Sequence, residues 1–224
     1  MAELHVLRVF VNEDGEWGNP LGVFLEGAAG LSTARRQSVA AELRFSETVF
    51  VEDREGGIRI HTPVVEMPFA GHPCVGTAWL LAHLGRPVAA LRVPAGKVGV
   101  DSDGGEVFVR AQPEWSPPFD FIQLEHPAAV RALAPPGGDD NVYAWAWIDE
   151  AAGTIRARAF VPGAGITEDE ATGSATLALS ARLSRPIVVH QGRGSVLQAR
   201  PLGDGLVEIG GAAVLDEVRA YPLR

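Results

Sequence analysis

The sequence predicts an α+β protein built from two similar halves, and three observations carry that expectation. Strand patterns arrive in hairpins with glycine turns, not singly between long helices, so the parallel doubly wound order is absent. Two helices rich in small residues each follow an irregular, glycine-containing loop. The segments around them repeat one plan. "RIHTPVVEMPFAGHPCVGTAWLLAHL" and "RARAFVPGAGITEDEATGSATLALSARL" each run strand, proline, loop, glycine beside a polar group, helix. Residue identity between the two is low, so what repeats is the order of parts.

"LHVLRVFV" alternates Leu4, Val6 and Val9 with polar residues, the pattern of a half-buried strand. "NEDGEWGNPLGVFLEG" places turn dipeptides before a second, short strand. "STARRQSVAAEL" has Ser32 or Thr33 as N-cap and apolar residues at helical spacing. "SETVFVEDREGGIRIHTP" is a hairpin: Ser46–Glu52, a Gly56-Gly57 turn, then Ile58–Thr62. "VGTAWLLAHLG" is a buried helix stopped at Gly85, with Pro87 beyond it.

Strand pairs follow around Gly96 and Gly104-Gly105. "PEWSPPFDFIQLEHP" is rich in proline and weak in period, and reads as the linker between a first lobe over 1–112 and a second over 113–224. "AAVRALAPP" is a short helix ended by prolines. "NVYAWAWIDEAAGTIRARAFVP" is a hairpin turning near Gly153, and "EATGSATLALSARL" is a loop and helix. Three short strands close the pattern, with turns at Gly192–Gly194 and Gly203–Gly205. The tail "LDEVRAYPLR" packs on the second lobe or returns to the first.

The totals narrow the function classes. At 46% hydrophobic and 21% charged residues, the 224-residue chain buries a real core. A net charge of −9 leaves no basic footprint for nucleic acid or an anionic membrane. No apolar run spans a bilayer, and the first strand begins without a signal-peptide core. The single cysteine forms no internal disulfide, so a reducing cytoplasm is the expected compartment.

"EMPFAGHPCVGTAW" raises the functional question. It accommodates an ordinary strand-to-helix turn, a ligand cradle, or a catalytic site using its histidine or cysteine. Helix N-termini leave backbone N–H groups unpaired and attract carboxylates and phosphates. "GHP" and "TGS" each sit at such a start, so two facing lobes would aim both helix ends into one cleft; the rival reading is two well-made helix starts. His61, His72, Cys74 and His83 lack the spacing of a zinc site. Cys74 reads as a small core thiol, and Ser174 lacks the G-x-S-x-G turn of a hydrolase. Lys97, the only lysine, sits where a turn enters an exposed strand and makes a poor Schiff base. Glu47 opens an apolar strand beside Phe45 and Val49. There it is either a solvent-facing glutamate or a half-buried carboxylate whose raised pKa suits a general base.

"FSETVFV", "EMPFAGHPCVGTAWL" and "EDEATGSA", followed by "HQGRG" and "VEIGG", together resemble the PhzF-like isomerase/epimerase family of phenazine biosynthesis. The likeness runs from the first strand to the "GGAAV" near Val214. It implies a diaminopimelate-epimerase-like fold: two pseudo-symmetric halves, each a mixed, mostly antiparallel β barrel around a central helix, with the active site between them. It implies work without metal or organic cofactor, on a small anionic substrate, often as a homodimer. The glutamate of "SET" implies Glu47 as acid/base, and "GH" implies Gly71 and His72 at the cleft, with His72 donating or relaying a hydrogen bond. "ED-x-ATGS" implies Asp169 and Ser174 as polar substrate contacts, Asp169 joining Glu47 and His72 as catalytic residues, with the Gly173 backbone near the substrate carboxylate. The epimerase relatives place cysteines at the two helix starts. Here His72 and Ser174 stand there, so two-thiol racemisation is not implied, and Cys74 sits off that position.

Two departures touch substrate identity. Glu170 stands where the family pattern has proline and brings negative charge toward an anion site. The chain is also shorter than most members, the missing length falling between Gly105 and Asn141. The leading expectation is a cofactor-independent isomerase or epimerase with Glu47 as base; the alternative is a non-catalytic small-molecule binder on the same scaffold.

Overall fold

The computed structural model describes residues 1–223. The chain begins with β1 (Ala2–Val11), β2 (Asn19–Phe24) and α1 (Thr33–Leu43). The hairpin β3 (Glu47–Val51) and β4 (Ile58–His61) follows, then the short β5 (Glu66–Met67) and α2 (Gly71–His83). A meander of β6 (Ala90–Val93), β7 (Gly96–Asp103) and β8 (Glu106–Ala111) comes next. Beyond it lie β9 (Asp120–Gln123), α3 (Pro127–Ala132), β10 (Val142–Asp149) and β11 (Thr154–Val161). β12 (Ile166–Asp169) leads into α4 (Gly173–Leu183), and β13 (Ile187–Gln191), β14 (Ser195–Pro201) and β15 (Val207–Tyr221) complete the chain.

The fold is α+β, with one continuous sheet curled around two helices. Its order is β5-β4-β3-β2-β1-β15-β14-β13-β11-β10-β9, with β8-β7-β6 branching from β15. Most neighbours are antiparallel. The exceptions are β2 with β3, β11 with β13 and β9 with β10, each pair joined through a helix as parallel strands require. The repeated order of parts is visible in the strand pairing. β4 pairs antiparallel with β5 before α2, and β11 pairs antiparallel with β12 before α4.

α2 is buried on nearly every side, from Gly71 through Ala78 and again at Leu80 and Leu81. A helix without a polar face belongs in the centre of a domain. Gly76 lets it lie directly on the sheet, since a Cβ there would come within 2.6 Å of Leu21 and Val9 side chains. α4 is buried similarly at Gly173–Leu177, Leu179 and Ser180, against β14 and β15.

β1 differs from the half-buried expectation. Leu7 and Val9 enter the main core, while Leu4 enters a second cluster with Phe24, Val39 and Phe50 beneath α1. Both faces are therefore covered. A register shift between Val6 and Leu7, opposite Asp216, accompanies the change of face. The proline-rich linker is also more ordered than its composition predicts. It holds a 3₁₀ turn at Pro113–Trp115 and the edge strand β9, and Trp115 packs on Phe69 just before α2.

β15 runs through both regions. Its first half pairs with β14 and β8, and its second half with β1, from Ala212 opposite Val11 to Tyr221 opposite Ala2. The tail thus returns to the first strand, and strand pairing crosses residue 112 through β8.

Candidate active site

The first turns of α2 and α4 meet. A Cβ on Gly71 would stand 2.9 Å from the Gly173 carbonyl carbon, and one on Gly173 would stand 3.0 Å from the His72 nitrogen. Only glycine permits this approach. Neither helix is capped by a side chain: Ala70 has none to offer, and Thr172 Oγ1 instead donates to Asp169 at 2.7 Å. Two uncapped helix N-termini, with their partial positive charge and unpaired N–H groups, therefore converge.

Glu47 begins β3 and reaches this junction. Its Oε2 lies 3.3 Å from His72 Nδ1, with the side chains 13% and 3% exposed. The contact is close but not aligned as a hydrogen bond, and neither Glu47 Oε2 nor His72 Nε2 has a hydrogen-bond partner among the described residues. Burial, reinforced by the negative charge of Asp169, pushes the Glu47 carboxyl well above the usual carboxylate range. Burial holds His72 neutral and lowers its pKa to about 3, against the weaker pull of the Pro20 carbonyl. The pair is thus a raised carboxyl beside a neutral imidazole, not a salt bridge.

Asp169 ends β12, is 7% exposed, and has a pKa raised to about 6. Burial is the largest cause, opposed by hydrogen bonds from Thr172 and Asn19. Asn19 is the group that the sequence reading missed. Its Nδ2 donates to Asp169 Oδ1 at 2.7 Å and to the Ala171 carbonyl at 2.9 Å, while its Oδ1 accepts from Ser46 Oγ at 2.7 Å. Gln191 was missed as well. It donates to the Asp169 carbonyl at 3.0 Å and to Thr172 Oγ1 at 2.8 Å, and accepts from Tyr143 at 3.1 Å. The "GNP" turn and the "HQG" strand end were the only local signals.

The remaining candidates separate. Ser174 sits at the start of α4, 8% exposed, and its carbonyl accepts from Ser116 of the linker at 2.8 Å. Cys74 is wholly buried, with its thiol pushed up to about 12 by desolvation. Glu170 is tied to the turn before β14, accepting from Arg193 N at 2.9 Å and Ser195 Oγ at 3.0 Å. Among the described residues no group of three or more His, Cys, Asp or Glu is placed to hold a metal ion. No helix among them is long and apolar enough to cross a membrane.

Comparison with known proteins agrees with this architecture. The family model described as "Phenazine biosynthesis-like protein" matches residues 8–132. The trans-2,3-dihydro-3-hydroxyanthranilate isomerase of Pseudomonas aeruginosa is 32% identical over 282 aligned positions, covering 96% of this chain and 98% of the relative. That alignment is longer than the chain itself, so the relative carries segments absent here. A solved structure described as a predicted epimerase from Pseudomonas aeruginosa superposes with a TM-score of 0.78 at 25% identity, covering 99% of each chain. The Enterococcus faecalis structure of the phenazine biosynthesis protein PhzF family gives a TM-score of 0.73 at 24% identity, covering 98% of this chain and 99% of the other.

Proposed function

The chain belongs to the phenazine biosynthesis-like protein family and is an isomerase, and from that premise we propose that it moves a proton on a small carboxylate-bearing substrate held between the two helix starts, with Glu47 as acid and base. The observation that carries the reading is Glu47 itself. It is a largely covered, raised carboxyl facing a neutral His72 at the junction of two uncapped helix N-termini.

The substrate carboxylate accepts hydrogen bonds from the N–H groups of Gly71, His72, Gly173 and Ser174. Ionised Glu47 takes a proton from the carbon next to the activating group. The electron pair moves into that group as an enolate or dienolate, where the helix ends and His72 stabilise the charge. Protonated Glu47 then returns the proton to the same carbon or to another, and the protein ends as it began. A raised pKa strengthens the base, and a positioned acid/base contributes roughly 10²–10⁴-fold. Asp169, anionic at neutral pH, sustains the raised value. No metal or organic cofactor is part of this scheme. With Glu47 and His72 this well covered, substrate enters by separation of the two helix starts and reacts when they close. Assembly as a homodimer is part of the same proposal and is read by sedimentation.

The test uses the full chain in heavy water. trans-2,3-Dihydro-3-hydroxyanthranilate and a panel of amino and hydroxy acids are followed by proton NMR. Wild type is expected to wash deuterium into one of them, and Glu47→Gln to lose at least about 10²-fold while melting normally. Full exchange by Glu47→Gln overturns the assignment, and saturable binding without exchange by wild type shows a binder.

A further inference from the structure

A cavity of about 470 Å³ opens next to the Glu47 site, and its two sides differ sharply. Asn19, Pro20 and Ser46 form one side; Ser46 adjoins Glu47 in the chain, and Asn19 holds Asp169. The other side carries Arg131, Arg156, Arg158 and Arg193 with Glu168 and Glu170. In a chain of net charge −9, this is a local reversal of sign.

The two glutamates are already matched. Arg158 makes a two-pronged pair with Glu168, at 2.7 and 2.8 Å, and Glu170 is held by Arg193 and Ser195. Arg131 and Arg156 have no carboxylate within 4.0 Å among the described residues. Arg156 is the more exacting case. Its terminal nitrogens donate to the carbonyls of His190 and Gly192, and its Nε is buried with no partner among the described residues. Burial first, and then the like charges of Arg131 and Arg158, hold it below the usual arginine range against the weaker opposing pull of Glu170 and Glu168. Guanidinium charge with no carboxylate partner is costly in such a place, and an oxyanion in the cavity relieves it through charge-assisted hydrogen bonds from the remaining terminal N–H groups of Arg156 and from Arg131.

We propose that this cavity is a second oxyanion subsite, and that the substrate carries a second anionic group, a carboxylate or a phosphate monoester, bound by Arg131 and Arg156 while its reacting carbon lies at Glu47. The proposal rests on the isomerase reading for the position of the reacting end, and on the arginine cluster alone for the second anion.

Calorimetric titration of the full chain at low ionic strength tests it, with inorganic phosphate and succinate as probes and acetate as the control. Saturable binding of phosphate or succinate, at least about tenfold tighter than acetate, is expected, and Arg131→Gln weakens it by about tenfold or more. Arg131 is exposed, so this variant folds; Arg156→Gln is used where its melting curve matches wild type. Phosphate tighter than succinate assigns a phosphate monoester, and the reverse order assigns a carboxylate. Absence of saturable binding of both probes, or affinity unchanged in Arg131→Gln, overturns the subsite. Deuterium exchange by wild type and by Glu47→Gln reports on the isomerase reading separately, so either idea falls without the other.

Discussion

Gly71 and Gly173, far apart in the chain, touch backbone to backbone at the first turns of two central helices. Their contact puts two positive helix ends against one largely covered carboxyl, that of Glu47, and it tolerates no added atom on either side.

Gly71→Ala and Gly173→Ala therefore force the helix starts apart by the size of a methyl group. Each is expected to cost about 1–3 kcal/mol of stability, as overpacking does. Exchange activity is expected to fall far more than stability, by about 10²-fold, because the proton-transfer geometry is lost. Thermal melts and the heavy-water assay on the same samples separate the two effects. Equal activity in either variant shows that the junction is not the reaction site.

His72 makes the acid limb of stability testable. Its pKa is about 3 when folded and near 6.5 when unfolded. The unfolded chain takes the proton first as pH falls, so this contribution is whole above about 6.5 and is lost toward pH 3, at up to about 1.4 kcal/mol per unit. Glu47 and Asp169 act in the opposite sense. Their raised values contribute below the ordinary carboxylate range, and Asp169's share is lost as pH rises from about 4 to about 6. Urea unfolding of wild type and His72→Gln between pH 7 and 4 is expected to show the variant gaining on wild type by a few kcal/mol toward acid. A constant offset across that range refutes a neutral His72.

Asn19 links strand β2 to the loop before α4 through one amide. Asn19→Ala removes a charge-assisted hydrogen bond from a buried carboxylate and is expected to cost about 1.5–3 kcal/mol. The Asp169 carboxyl is expected to titrate higher still, because one of its two stabilising side-chain donors is gone. Carbon-13 NMR of labelled aspartate reads the titration directly, and an unmoved Asp169 resonance counts against the link.

Cys74 invites confusion with the catalytic thiols of related folds. Wholly buried and with its pKa near 12, it is expected to resist iodoacetamide in the native protein and to react only on unfolding. Cys74→Ala is expected to keep most of the exchange activity. Rapid native labelling with loss of turnover would return Cys74 to the mechanism.

What the sequence disclosed, and what it withheld, follows from the range of the interactions. Hairpins such as β3–β4 and β10–β11 were legible because a glycine turn and period-two patterning are local. The helix starts at Gly71 and Gly173 were legible from the same kind of signal, and the resemblance added Glu47. β1 misled because Leu4 and Leu7 serve two different clusters, and a strand covered on both faces has no clean alternation. β9 was hidden in a proline-rich stretch because only its pairing with β10 makes it a strand. Asn19 and Gln191 left almost no trace. Their partners lie 150 and 22 positions away, and nothing in a short window records that. The four cavity arginines likewise look like scattered surface charge until the sheet gathers them.

β15 imposes an order on assembly. The stretch Val207–Tyr221 completes the edge of β1 at the beginning of the chain and also bridges β14 and β8. During synthesis, β1 must wait, exposed along one side, until these late residues leave the ribosome. Neither lobe reaches its final form as a nascent fragment, and a polypeptide cut short before Val207 is expected to need chaperone protection.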